Sequence, residues 1–250
     1  MATDATGPDG FFGEEIAGGY DGSGGSEFDP AVIASTVDFL AGLAADGRAL
    51  ELGIGTGRIA LPLAARGVPV HGIDLSRAMV ERLREKPGGE AIGVTIGDFA
   101  TMRVDGPFAL AYLVFNTIEN LTTQAAQAAC FANVAAHLEP GGRFVIECAI
   151  PDLRKLPFGE NAVVFDLSDD HWGIDEYDVV NQGLISHHFT RVGDRIEYSS
   201  GPFRYVWPSE LDLMARMAGL RLTERWSDWH REPFTSESRK HISVWEKPAG

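Results

Sequence analysis

The sequence predicts an α/β fold, a doubly wound and mostly parallel open sheet interrupted late in the chain by an antiparallel β insertion. Three observations predict it. The apolar run Arg48-Ala49-Leu50-Glu51-Leu52 leads into the glycine-rich string Gly53-Ile54-Gly55-Thr56-Gly57-Arg58. After a helical pattern, Val70-His71-Gly72-Ile73-Asp74-Leu75 forms a second apolar run closed by a carboxylate, so the two runs read as a βαβ unit. Strand and helix patterns then alternate to about residue 150, and from Pro151 to Pro208 the alternation gives way to a succession of short β-like runs.

Element by element, residues 1–27 are rich in Gly, Asp and Ser, with Gly18-Gly19-Tyr20-Asp21-Gly22 and Gly24-Gly25, a composition too polar and flexible for a core element. Asp29 and Pro30 fit the N-cap and first position of a helix running to about Ala45, with Val32, Ile33, Val37, Leu40 and Leu43 at helical spacing. The first strand ends at Leu52, a helix starts near Arg58, and the second strand ends at Asp74. A third strand covers Ala91 to Ile96, and a fourth Leu110 to Phe115 with Asn116-Thr117 at its mouth. An alanine-rich helix holds Cys130, and the turn Leu138-Glu139-Pro140-Gly141-Gly142 precedes a fifth strand that carries Glu147 and Cys148.

Within the insertion the β-like runs are Ala162 to Leu167, Leu184 to Arg191, Arg195 to Ser199 and Phe203 to Trp207, the middle two joined by the tight turn Val192-Gly193-Asp194. Ser209 caps a helix to about Ala218, and the runs Leu220 to Trp226 and His241 to Lys247 supply the last strands. The organisation is one α/β domain in four parts: a flexible segment 1–28, a core 29–150, the insertion 151–208 and a completing segment 209–250. A chain of 250 residues is long enough for such a domain.

Composition narrows the partners. With 36 acidic residues against 21 basic ones and a formal net charge of -15, the chain lacks the basic stripe that phosphate neutralisation requires, which excludes nucleic acid and favours a neutral or cationic small molecule. The same excess of charge also serves solubility. No apolar run approaches the roughly 20 residues of a membrane span. The N-terminus shows no basic segment followed by an apolar core, and the two cysteines, Cys130 and Cys148, fit a reduced cytoplasmic protein better than a disulfide framework.

The glycines accept positive φ and let a ligand press on bare backbone, while the following helix aims its free N–H groups into the same crevice, so an anionic or strongly polar ligand belongs there. Gly55-Thr56-Gly57-Arg58-Ile59-Ala60 fits the dinucleotide pattern, which keeps an NAD(P)- or FAD-dependent oxidoreductase as an alternative. Glu51 and Gly53 precede that hexad, however, and Glu51-Leu52-Gly53-Ile54-Gly55-Thr56-Gly57 resembles the first motif of the class I S-adenosylmethionine (SAM) dependent methyltransferases. Asp74 after the second strand, Gly97-Asp98-Phe99 after the third and Leu138 to Phe144 before the fifth follow that family's order.

The resemblance implies a seven-stranded sheet whose last strand is antiparallel, with SAM as cofactor. It implies that Glu51 anchors the loop or the SAM amino group, that Gly53, Gly55 and Gly57 face the methionine moiety, and that Arg58 pairs with its carboxylate. Asp74 accepts the ribose hydroxyls with Leu75 beside it. Asp98 accepts from the adenine amine, and the Phe99 N–H meets a ring nitrogen. Asn116 sits where donor methyl and acceptor meet. Tyr20 resembles the mobile tyrosine of an N-terminal lid. In order and in the position of the insertion, the chain is similar to bacterial enzymes that methylate amino groups of natural-product sugars. A catalytically silent SAM-binding interaction protein is the non-enzyme alternative.

An insertion launched from the carboxyl end of the fifth strand overhangs the ligand crevice and reads as a substrate lid, or equally as the surface of a homodimer. Methyl transfer needs an aligned acceptor and excluded water, and no metal. His187 and His188 are adjacent in a strand and point to opposite faces, so they do not chelate together, and one faces the pocket as the candidate general base; a surface histidine is the competing assignment. Glu147, with few structural duties at its position, is the candidate contact to the acceptor. Tyr205 and Trp207 form an aromatic wall with Arg204 outward, and Trp226 lines the far side, the competing role of these aromatics being core packing. Nitrogen is the first choice of acceptor atom, oxygen the second and carbon the third.

Overall fold

A computed structural model of the protein describes residues 9–22 and 25–249. Strands β1 (Ala49–Leu52), β2 (Val70–Asp74), β3 (Gly93–Ile96), β4 (Phe108–Leu113) and β5 (Leu138–Ala149) lie parallel. The insertion folds into β6 (Ala162–Leu167), β7 (His171–Asp178), β8 (Gly183–Val192) and β9 (Arg195–Arg204), a separate antiparallel sheet in that order. The chain then returns through β10 (Arg221–Trp226) and β11 (Lys240–Glu246) to complete a seven-stranded sheet of order β10-β11-β5-β4-β1-β2-β3. β11 runs antiparallel to both of its neighbours in that sheet, β10 and β5.

The central strands are apolar on both faces because helices cover both. On one side α5 (Gln124–His137) and α6 (Pro208–Met217) bury Phe131, Leu211 and Met214 against Phe144 and Trp245. On the other, α2 (Pro30–Ala44) and α3 (Ala60–Ala65) bury Phe39, Leu40 and Leu63 against Tyr112 and Val145. Asp29 caps α2 by accepting the Ala31 N–H at 2.7 Å, with Pro30 at the first helical position. Leu83 of α4 (Arg77–Arg84) closes a third cluster around Ile54.

The structure corrects several expectations. The N-terminal segment is not devoid of core: Glu14–Gly19 forms a short helix, α1, with Ala17 buried against Ala78 and Met79, and Phe12 and Tyr20 pack on the same cluster. Four aromatic rings spaced among its glycines and acids supply apolar area that an averaged composition hides. Helix α3 starts at Ala60, beyond Arg58. Strand β7 was not anticipated, since Asp175, Glu176 and Asp178 mask its alternation. Strand β9 runs unbroken from Arg195 to Arg204 through Gly201 and Pro202, which is tolerated because β9 is an edge strand. Trp207, not Ser209, occupies the N-cap of α6, with Pro208 inside the first turn.

Arg204 does not point outward. It is buried, with its guanidinium on the Glu210 carboxylate of α6 at 2.8 Å, on the Gln182 amide oxygen at 3.1 Å and on the Gln127 amide oxygen of α5. Gln182 in turn donates to Glu210 at 2.8 Å and to the Tyr205 carbonyl at 3.0 Å. This network joins the insertion to the core. Arg204→Ala leaves a half-buried carboxylate and two amides short of a partner, and is expected to cost about 1–3 kcal/mol of unfolding free energy; an unchanged urea midpoint would contradict the role.

Candidate active site

The site is built at the carboxyl ends of β1, β2, β4 and β5. Gly53, Gly55 and Gly57 have φ of +70°, +53° and +77°, a region that favours glycine. There is also no room for more: a Cβ on Gly53 would lie 2.6 Å from Thr117, and one on Gly57 2.6 Å from Leu83. The Gly53 and Ile54 N–H groups donate to the Ile73 carbonyl. Gly55 donates its N–H to Asp74 Oδ2 at 2.6 Å, and Ser76 donates to Oδ1 at 2.8 Å. Burial pushes the Asp74 carboxyl up while these donors oppose it.

Glu51 lies beneath the loop, 3% exposed, and accepts the Tyr112 hydroxyl at 2.9 Å. Burial pushes its carboxyl up to about 8, against the opposing influence of the Tyr112 hydroxyl, Arg58 and the Ala60 N–H. Its partners are thus the Tyr112 hydroxyl of β4 and the Ala60 N–H at the start of α3. Asp98 stands exposed after β3, one oxygen accepting the Ala100 N–H at 2.8 Å, while the Phe99 ring enters the core. Leu75 is 46% exposed beside Asp74.

The N-terminal segment lies across this loop. The Thr56 hydroxyl donates to Asp21 Oδ1 at 2.6 Å, Lys86 bridges Asp21 and the Thr56 carbonyl, and the Ser76 hydroxyl donates to the Phe12 carbonyl at 2.6 Å. Arg58 donates to the Glu27 carbonyl at 2.8 Å and lies over the Phe28 and Phe115 rings at 5.4 and 5.6 Å. Tyr20 packs edge-on between Phe12 and Phe28, and burial pushes its hydroxyl pKa up, with Arg58 opposing. Tyr20 and Arg58 thus meet at one end of the crevice.

At the mouth of β4, Phe115 and Asn116 take positive φ of +52° and +58° in succession. Such residues cost about 1–3 kcal/mol each and persist where the surroundings hold them. Here Asn116 Oδ1 accepts the Ala149 N–H at 2.7 Å, and Glu147 Oε2 accepts the Phe115 N–H at 3.0 Å. Glu147 Oε1 takes Lys240 Nζ at 2.8 Å. Glu147 therefore has structural duties after all: it is 8% exposed, and both oxygens are engaged. Glu119 follows, pushed up to about 8 by burial, with the Cys148 thiol donating to it at 3.5 Å.

The insertion roofs this mouth. Its inner face carries Gly201 and Phe203, both against the Phe11 ring, and Tyr177, which packs on Tyr205. His188 shares this inner face with Ser186 and Asp175. His187 points outward, its Nδ1 2.8 Å from the Tyr198 hydroxyl and its Nε2 3.5 Å from Glu176. Only one histidine of the pair therefore remains a pocket candidate. Tyr205 is 2% exposed, and Trp207 packs beside it in a small core with Val163 and Leu153, so these aromatics hold the base of the insertion instead of walling a pocket. Trp226 is on β10, at the far edge of the sheet, and its indole N–H donates to Glu224. Sequence reasoning missed Asp175, whose charge acts on Glu119 and whose own carboxyl is pushed up in turn by that of Asp152, and His171, whose Nε2 lies 3.0 Å from His188 Nδ1. Asp175 alternates in β7 with the apolar Gly173 and Tyr177, a weak signal that the surrounding acids obscured.

A methyltransferase-domain family model matches residues 49–142. The chain matches the structure of the CcbJ methyltransferase from Streptomyces caelestis with a TM-score of 0.85 and 36% identity, covering 95% of this chain and 98% of that one. The chain belongs to the class I SAM-dependent methyltransferases. A curated relative, the cypemycin N-terminal methyltransferase of a Streptomyces species, is 28% identical over 206 residues, 81% of this chain and 84% of its own. The SAM-bound structure of CalS10, an amino pentose methyltransferase from Micromonospora echinaspora, has the same fold at TM-score 0.67 and 22% identity, covering 93% of this chain and 96% of that one. The enzyme uses SAM, and its glycine cradle with no space for a Cβ fits that cofactor; the dinucleotide alternative falls away.

Two outcomes are expected. Asp74→Ala should weaken SAM binding about 10- to 100-fold by calorimetry, matching the roughly 1.5–3 kcal/mol of hydrogen bonds to a charged group, with the circular dichroism spectrum kept; unchanged affinity would remove the ribose assignment. Because the folded Glu51 carboxyl titrates near 8 instead of its ordinary 4.5, its stabilising effect is complete below pH 4.5 and is lost as pH rises through about 8. Glu51→Gln should accordingly flatten the fall in thermal midpoint between pH 5 and 8.

Proposed function

We propose that this enzyme methylates an amine of a small natural-product or sugar-like metabolite. The observation that carries the reading is the acidic mouth: Asp175 and Asp152 of the insertion lie within electrostatic reach of each other beside Glu119, whose carboxyl burial keeps protonated at neutral pH, in a chain of net charge -15. Carboxylates around a cleft raise the local concentration of a cationic ammonium substrate. The names of similar proteins support it, since an N-terminal methyltransferase and an amino pentose methyltransferase are among them.

When bound, SAM supplies an already activated methyl group on its sulfonium. What remains for the protein is placement. The glycine loop, Asp74 and Asp98 are assigned to bind the cofactor, with Leu75 and the Phe99 N–H beside the adenine. Tyr20 and Arg58 close the methionine end, and the Phe115-Asn116 bend sets the height at which the acceptor lies. Alignment of reacting atoms at about 3 Å supplies up to roughly 7–11 kcal/mol of the barrier reduction. The insertion and the N-terminal segment exclude water and act as lids. Asp175 is the carboxylate that orients the amine.

The outer face of the insertion is the proposed homodimer surface. It exposes Val164, Ile185, Ile196 and Tyr198 to between 43% and 61%, an apolar face of the kind that marks an interaction site. A reducing cytoplasmic location accords with two free, buried thiols. Among the described residues no helix is long and apolar enough to cross a membrane.

Labelled SAM incubated with panels of amines, phenols and acidic metabolites is expected to label an amine; transfer only to oxygen or carbon acceptors would overturn the amine assignment. Light scattering should give twice the chain mass for the protein and a monomer for Ile185→Asp/Ile196→Asp; a monomeric parent protein would remove the dimer.

A further inference from the structure

The inner face of the insertion carries a continuous line of polar side chains. Asp166 Oδ2 meets His171 Nδ1, and His171 Nε2 lies 3.0 Å from His188 Nδ1. His188 Nε2 lies 3.3 Å from the Ser186 hydroxyl, and Ser186 stands directly opposite Asp175 in the β7–β8 register, where it lowers the Asp175 carboxyl pKa against the effect of burial. The line runs from the rim, where Asp166 and His171 are 42% and 28% exposed, to the half-buried Asp175, whose charge acts on Glu119 at the mouth of β4. Phe165 covers Gly173 and packs edge-on against His188 at 5.5 Å, which keeps the two imidazoles in place.

Donor and acceptor counting gives this line two fully satisfied states. In the first, a protonated Asp175 donates to Ser186 Oγ, Ser186 donates to His188 Nε2, His188 Nδ1–H donates to His171 Nε2, and the neutral His171 donates from Nδ1 to the Asp166 carboxylate. In the second, Ser186 donates to an ionised Asp175, His188 donates from Nε2 to Ser186, and His171 is an imidazolium that donates to His188 Nδ1 and to Asp166. The two differ by one proton moved from Asp175 to His171. No hydrogen bond is lost, because three of the four histidine nitrogens exchange roles while His171 Nδ1 donates to Asp166 in both states.

We propose that Asp175 receives the proton released by the methyl acceptor and that Ser186, His188 and His171 pass it to solvent at Asp166. The inference rests on the amine reading above. The bound ammonium first gives one N–H proton to the Asp175 carboxylate, which frees the nitrogen lone pair; as that pair forms the N–C bond, the C–S bond breaks and its electron pair stays on sulfur, the methylated product leaves as the ammonium, and the relay resets when His171 releases a proton to water. Asp175 is the catalytic residue of this scheme, and Ser186, His188 and His171 act through it. The charged groups around the relay are Asp166 on β6, His187 behind His188, Glu197 in the row of His171, and Glu119 and Asp152 within electrostatic reach of Asp175. Burial pushes Asp175 up, with Ser186 and His187 opposing, and pushes His188 down with help from His171 and His187. Both directions suit a group that takes a proton and a neutral imidazole that passes it on.

The relay is tested on the full chain with S-adenosylhomocysteine bound, by imidazole nitrogen NMR titration of the parent, Ser186→Ala and Ser186→Thr. Ser186→Ala should shift the midpoints of both His188 and His171, although it touches only the first, and Ser186→Thr should restore them; a His171 midpoint that ignores Ser186→Ala overturns the relay. With the amine that the labelling panel selects, Ser186→Ala should lower kcat about 100-fold, at the lower end of general acid–base effects, with KM and SAM affinity kept. Added imidazole should rescue His188→Gly. A raised KM at constant kcat would also overturn the relay. If no amine is methylated, the functional reading fails by itself, and the NMR titration still decides the relay.

Discussion

Asp74 accepts the N–H of Gly55 with one oxygen and that of Ser76 with the other, and the geometry of the whole crevice depends on this pair of bonds. They fold the glycine loop back onto β2, so that Gly53 and Gly57 turn through positive φ against Thr117 and Leu83 with no space for a side chain. Once the loop is set, Thr56 and Lys86 are placed to take Asp21, and Ser76 is placed to take the Phe12 carbonyl. The N-terminal segment is thereby fastened to the glycine loop proposed to hold the cofactor. Loop and N-terminal segment are then bonded together as one unit.

The opposite wall of the crevice is held by a second set of non-local bonds. Two consecutive residues at β4, neither of them glycine, adopt left-handed backbone because β5 and β11 supply partners: Glu147, Ala149 and Lys240 converge on the bend. The strain is local and the compensation is distant. This is the arrangement expected where a backbone must be aimed at a reacting atom and kept there.

Much of the sheet was legible in the sequence because its signals are local. Parallel strands buried on both faces read as unbroken apolar runs, the glycine string announces its turn, and Asp29-Pro30 announces a helix. What stayed hidden depends on partners remote in sequence. Glu147 looked free because Lys240 lies 93 residues away. Arg204 looked like a solvent-facing charge because Gln127, Gln182 and Glu210 come from three separate segments. Strand β7 was obscured for a related reason: its inner face is lined for polar work over the mouth of the site, so the usual alternation of apolar and polar residues does not appear. The N-terminal rings were present in the composition, but their edge-to-face contacts become visible only once α4 supplies the surface beneath them.

The insertion is tied to α5 and α6 at the Arg204 junction and rests on Phe11 of the N-terminal segment, while every residue assigned to the cofactor lies outside it. Roof and floor are therefore separable units of heredity. Substitutions along the four antiparallel strands can reshape which molecule is admitted without disturbing the donor cradle, and a lineage that keeps the junction can exchange one roof for another. The fold places the residues assigned to the methyl donor and those that roof the acceptor on different stretches of chain.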